Sequence, residues 1–102
     1  MGTFALQPLR IHSGWLVEYN SFTEYTLKDG LEFKNLLKGD LLQLKKDNIM
    51  IFLGWYPAED PTGGYLLYKL DLRYPEPFKK PLATFQSKVK AEIIDKIDEW
   101  TA

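Results

Sequence analysis

The run Ile49–Tyr56, Ile-Met-Ile-Phe-Leu-Gly-Trp-Tyr, is the most apolar stretch of the chain. It is rich in β-branched and aromatic residues, too short to cross a membrane, and bounded by Asp47-Asn48 on one side and Pro57 on the other. Such a run reads as the central strand of a sheet. Upstream, Asp40–Lys46 reads Asp-Leu-Leu-Gln-Leu-Lys-Lys, separated from the central strand only by Asp47-Asn48, two residue types that tolerate positive φ and suit a tight hairpin turn. That turn sets the register. Lys46 falls opposite Ile49, Leu44 opposite Ile51, Leu42 opposite Leu53, and Asp40 opposite Trp55. Side chains alternate along a strand, so Leu42, Leu44, Ile49, Ile51, Leu53 and Trp55 share one face. Leu41, Gln43, Lys45, Met50, Phe52 and Gly54 share the other. One face is apolar and one mixed, the pattern of a sheet covered on one side.

Downstream, Ala58–Gly64 is a loop by composition. Tyr65–Leu72 then alternates Leu66, Tyr68, Leu70 and Leu72 with Lys69 and Asp71, which predicts a third strand with the Leu/Tyr set facing the core. The central antiparallel meander therefore runs over residues 40–72. Before it, Trp15–Tyr19 and Phe22–Lys28 flank the Asn20-Ser21 turn and predict an N-terminal hairpin, with Trp15, Val17 and Tyr19 on one face. Met1–Pro8 reads as a loose start, and Leu9–Ser13 as a short extended segment ending in a Ser13-Gly14 turn. Leu31–Lys38 admits a short helix or an irregular connection. The Asp29…Glu32 spacing resembles a capping box, and Gly39 can stop a helix, so the helix is favoured.

Pro75, Pro77 and Pro81 exclude helix and any central strand from Arg73–Pro81, leaving a stiff crossover. Leu82–Gln86 predicts an edge strand. Ser87 is a natural N-cap for a helix reaching Trp100. Its apolar stripe, Val89, Ile93, Ile97 and Trp100 widened by Ile94, should lie across the apolar sheet face. Asp98 and Glu99 in its last turn oppose the helix dipole, by roughly a few tenths of a kcal/mol each. They form either a solvated end or an acidic surface for a partner. The fold class expected is α+β: an antiparallel sheet of four to six strands with a C-terminal amphipathic helix on one face.

A chain of 102 residues supports one core, so residues 1–102 should form a single domain. The net charge of −1 argues against a sequence-independent nucleic-acid binder, which needs a basic face. Six Tyr, six Phe and three Trp exceed what a core of this size absorbs. Trp15 and Trp55 should be packed. There is no Cys, hence no disulfide and no thiol chemistry. No run approaches the ~20 apolar residues of a membrane helix, and Met1–Arg10 lacks a secretory pattern. The expected location is cytoplasmic, with no membrane partner.

Catalytic constellations are weak. His12 is the only histidine, so a zinc site or a Ser–His–Asp triad would rest on it alone. Glu59-Asp60 has the composition of an acid/base pair but reads as a solvated turn. Gly63-Gly64 lacks the Lys-Ser/Thr and helix of a phosphate loop. No catalytic residue, metal site or cofactor is assigned.

Three segments carry a resemblance: Ile11–Glu24; Asp40–Leu44 with Leu53–Asp60 and Gly64-Tyr65; and Pro81–Ser87 leading into Glu92–Ile97 and Trp100. Together they resemble small stand-alone bacterial immunity proteins found beside polymorphic or contact-dependent toxins. The resemblance implies a non-enzymatic protein that binds and neutralises a cognate toxin domain. Aromatic anchors with an acidic rim would suit a basic toxin surface, commonly a nuclease. Two turns combine an aromatic with acids, which selects Asn20, Phe22, Glu24, Tyr56, Glu59 and Asp60 as the partner-facing set. An adaptor module of a larger assembly is the alternative from a different class, and a small enzyme a more distant one.

Overall fold

The two-residue turn at Asp47-Asn48 closes the hairpin that organises the molecule. The computed structural model describes residues 4–102. It contains β1 (Leu16–Asn20), β2 (Leu42–Lys46), β3 (Ile49–Tyr56), β4 (Gly64–Asp71), β5 (Ala83–Ser87) and α1 (Lys90–Thr101). The strands form one antiparallel sheet in the order β1-β2-β3-β4-β5. The expected α+β architecture is the one observed. So is the β2–β3 register: Leu42 faces Leu53, Leu44 faces Ile51 and Lys46 faces Ile49. Of the two turn residues only Asp47 takes positive φ, 53°.

Helix α1 covers one sheet face, called here the inner face. Ile93 and Ile97 are fully buried against Leu42, Leu44, Ile51, Leu53 and Leu67, with Ile94 and Trp100 packed around them. The helix enters differently from the expectation. Ser87 is two residues too early to cap it: its hydroxyl accepts the Val89 N–H at 2.9 Å and donates to the Glu92 carboxylate, bracing the approach, and Val89 itself is the N-cap. Val89 is therefore exposed rather than part of the apolar stripe.

The N-terminal third departs most. Phe22–Lys28 is not a strand. Local hydrogen bonds compete with an extended backbone there: Asn20 Oδ1 accepts the Phe22 N–H, Thr23 Oγ1 accepts the Tyr25 N–H, and the Asp29 carboxylate reaches back to the Thr26 N–H at 2.9 Å. Asp29 thus closes a capping box with Thr26, opening a 3-10 turn at Leu27–Asp29, instead of capping the next segment. Leu31–Leu36 is 3-10 helix with a kink at Phe33. With no partner in its own hairpin, β1 pairs with β2 across a bulge at Glu18. The expected loose start is tied down within the described residues, where Leu6 bridges Thr23 and the Gln7 N–H donates to Phe22 O at 2.8 Å.

The parity of β4 is the reverse of that expected. Trp55 faces Tyr65 and Leu53 faces Leu67, so Tyr65 and Leu67 join the core under α1. Leu66, Tyr68 and Leu70 point to the other side, the outer face. Asp71 is buried at the end of β4 and is clamped by Arg73, whose Nε and Nη2 donate to its two oxygens at 3.0 and 2.7 Å. Among the described residues, no helix is long and apolar enough to cross a membrane.

Candidate functional site

Among the described residues, no α-helix covers the outer face. Register assigns to it Leu16 and Tyr19 of β1, Gln43 and Lys45 of β2, Met50, Phe52 and Tyr56 of β3, and Leu66, Tyr68 and Leu70 of β4. Phe78, from the proline-rich crossover, packs on it. The 3-10 turn Pro77–Lys79 sets the Phe78 ring edge-on to Phe52 and Tyr68, with centroids at 5.3 and 5.1 Å. Phe52 beneath it is buried, and so is Leu70 on the same face. Around it Leu16, Tyr19, Tyr56 and Phe78 remain 59%, 41%, 40% and 50% exposed. Large apolar side chains exposed along one sheet surface are what binding faces present.

The loop Pro57–Gly63 borders this face and is built by Trp55 and Asp60. The Trp55 ring lies edge-on to Tyr65 in the core, and its Nε1–H donates to Asp60 O at 2.8 Å. The Asp60 carboxylate accepts both the hydroxyl and the N–H of Thr62, at 2.7 and 2.8 Å. Those bonds, with Lys34 and Lys88 in the surroundings, hold Asp60 below the usual carboxylate range. Glu59 sits at φ 62°, its N–H donating to Leu37 O at 2.7 Å and its side chain exposed. Tyr56 bends back over the sheet, its hydroxyl donating to Gly39 O at 3.0 Å. Partial burial raises its pKa, and neighbouring Asp40 and Tyr68 add to the shift. Gly54 is required under that arch, because a Cβ there would overlap Gly39 O and the Tyr56 ring.

The six residues expected to face a partner do not form one patch by contact. Tyr56 and Glu59 are exposed beside the outer face, and Glu24 is exposed on the other turn. Phe22 is a correction. It is 1% exposed, packed edge-on to Tyr65 with the Lys90 ammonium 5.1 Å from its ring centre, and has no surface to offer. Asn20 spends its side-chain oxygen on the Phe22 N–H. Asp60 forms the loop rather than projecting from it. Leu16, Tyr19, Tyr68 and Phe78 were missed by the sequence reading. The signal was present: Tyr65–Leu70 is apolar at nearly every position, which supplies both faces of a strand at once.

His12 has a structural task. Its Nε2 lies 2.6 Å from Asp98 Oδ1, its N–H donates to Thr101 Oγ1 at 3.3 Å, and Trp15 Nε1–H donates to Thr101 O at 3.1 Å. The segment from Ile11 to Trp15 thereby clasps the C-terminal turn of α1, which accounts for Asp98 at that end of the helix. Among the described residues, no group of three or more His, Asp and Glu side chains is placed to hold a metal ion. Comparison with family models, with curated proteins and with solved structures finds no match to this chain.

Proposed function

We propose that this protein is a non-enzymatic binding protein that neutralises a bacterial toxin domain, as the immunity proteins it resembles do, and that it binds through the outer sheet face. One observation carries the choice of surface: an aromatic and aliphatic face that, among the described residues, no α-helix covers, while α1 packs on the opposite side. Tyr19, Tyr56, Tyr68 and Phe78 supply aromatic contact, and Asp40 and Glu59 supply negative charge at the Tyr56 end. Aromatic anchors bordered by charge are the usual anatomy of a tight interface. The toxin-binding role rests on the resemblance of the three sequence segments.

Binding kinetics against the product of the adjacent toxin gene test the proposal. Tyr56→Ala and Phe78→Ala should speed dissociation, because an anchor contributes contact. Glu59→Lys should slow association, more at low salt than at high, because rim charge steers encounter. Asp60→Lys is a poor probe, since Asp60 organises the loop. No binding at micromolar concentration would end the toxin reading. Tight binding unaffected by all three substitutions would move the interface elsewhere.

A further inference from the structure

On the helix side of the sheet, away from the outer face, a cavity of about 300 Å³ opens between the start of α1 and the 3-10 turn Leu27–Asp29. Its floor is apolar, made by Leu27, Leu37, Trp55 and Tyr65. Its rim is cationic, made by Lys28, Lys88 and Lys90. This volume is at the small end for ligand sites, which combine an apolar lining with a few convergent polar groups.

The polar groups at this cavity are short of partners. Tyr65 is 97% buried (3% exposed), yet its hydroxyl makes no hydrogen bond to any described residue. Tyr65 is one of the residues that line the cavity. The Lys90 N–H, in the first turn of the 12-residue helix α1, has no acceptor among the described residues either. The Lys90 ammonium donates to Thr23 O and Tyr25 O, at 2.6 and 2.8 Å, and lies over the Phe22 ring, so it is the Lys90 backbone N–H that is left to meet a ligand. Asp29, whose carboxylate also holds Thr26, and Glu24 offset part of the Lys90 charge, while Lys28 and Lys88 take part in no ion pair among the described residues.

We infer that this cavity binds a small organic carboxylate with a compact apolar or aromatic body. The body would lie on Leu27, Leu37 and Trp55. The carboxylate would accept the Tyr65 hydroxyl and the Lys90 N–H, with the positive end of the α1 dipole and the lysine rim compensating its charge. The apolar floor and the few directed donors favour a carboxylate over an inorganic oxyanion, which has no use for the floor. The inference is independent of the outer-face reading, because the cavity shares no lining residue with that face.

The test is a titration of the ¹⁵N-labelled full chain with phenylacetate, benzyl alcohol and inorganic phosphate, followed by amide and aromatic shifts. For a ten-atom ligand a dissociation constant of about 1 mM is the expected scale. Phenylacetate should move Lys90 and Tyr65 saturably, with benzyl alcohol and phosphate each at least about fivefold weaker. Tyr65→Phe should weaken phenylacetate at least about fivefold while leaving the thermal midpoint at neutral pH unchanged, since the hydroxyl holds nothing in the described protein. The inference is overturned by no saturable shift up to about 20 mM. Phosphate binding as well as phenylacetate, or Tyr65→Phe binding as well as wild type, would also overturn it. A drop in the midpoint of Tyr65→Phe would show a structural hydroxyl and overturn it too.

Discussion

Asp71, Lys90 and Tyr65 are the residues whose ionisation the fold disturbs most clearly, and each disturbs stability in its own pH range. Hydrogen bonds from the Arg73 side chain and backbone hold Asp71 at about 2, below its ordinary 3.8. The unfolded chain therefore binds the proton more readily, and the stabilisation present above about 3.8 is lost as pH falls through about 2. Asp71→Asn should flatten the acid limb of a stability-against-pH curve in that window. Burial lowers Lys90 to about 8 from 10.5. Here too the unfolded chain holds the proton more tightly, so stability should rise as pH climbs from about 8 to 10.5, and Lys90→Met should remove that rise. Tyr65 has the opposite sign. Burial raises it from 10.0 to about 12, so its contribution is intact below about 10 and lost as pH passes through about 12. Thermal midpoints across pH in wild type, the two variants and Tyr65→Phe check all three signs. None of these shifts was visible in the sequence, because each arises from a contact between residues placed by the fold. Phe22 shows the same limit: beside a turn and followed by an acid it looks exposed, and only the bend set by Asn20 and Thr23 turns its ring inward.

At the level of elements, what was legible followed from spacing that left one solution. The β2–β3 hairpin has a two-residue turn, so pattern and register could not drift apart. Helix α1 carries a four-residue apolar step that only one face can bury. Ile97→Ala should cost ~2–5 kcal/mol, the range for a large-to-small change in a packed core. Val89→Ala should fall within about ±0.5 kcal/mol, since Val89 is 53% exposed. Urea unfolding of the two variants separates a docked helix from one merely adjacent. The parity of β4 was illegible for a physical reason. The loop from Pro57 to Gly63 is long enough to start the strand on either face, and β4 is apolar on both. Lys69 and Asp71 suggest an outward side, yet they fall on the inner side near the strand's end, where Arg73 satisfies Asp71. The crossover decides the matter by laying Phe78 on Phe52 and Tyr68. Phe78→Ala should uncover Phe52 and increase binding of an apolar dye, with a smaller loss of stability than Ile97→Ala because Phe78 is itself half exposed.

For the whole molecule, the arrangement is a sheet with two unlike sides. One is covered by α1, fastened by the clasp of His12 on Asp98, with a cavity left open beside the start of the helix. The other keeps its aromatics near the surface, with Phe78 packed on Phe52 and Tyr68. The central claim is that a protein partner covers the second side. Hydroxyl-radical footprinting of the complex with the adjacent gene's product reads this side chain by side chain. Tyr19, Tyr56 and Phe78 should lose reactivity on binding, while Trp100 and Val89 on the helix side keep theirs. Protection of Trp100 and Val89 with Tyr19, Tyr56 and Phe78 still reactive would contradict the account.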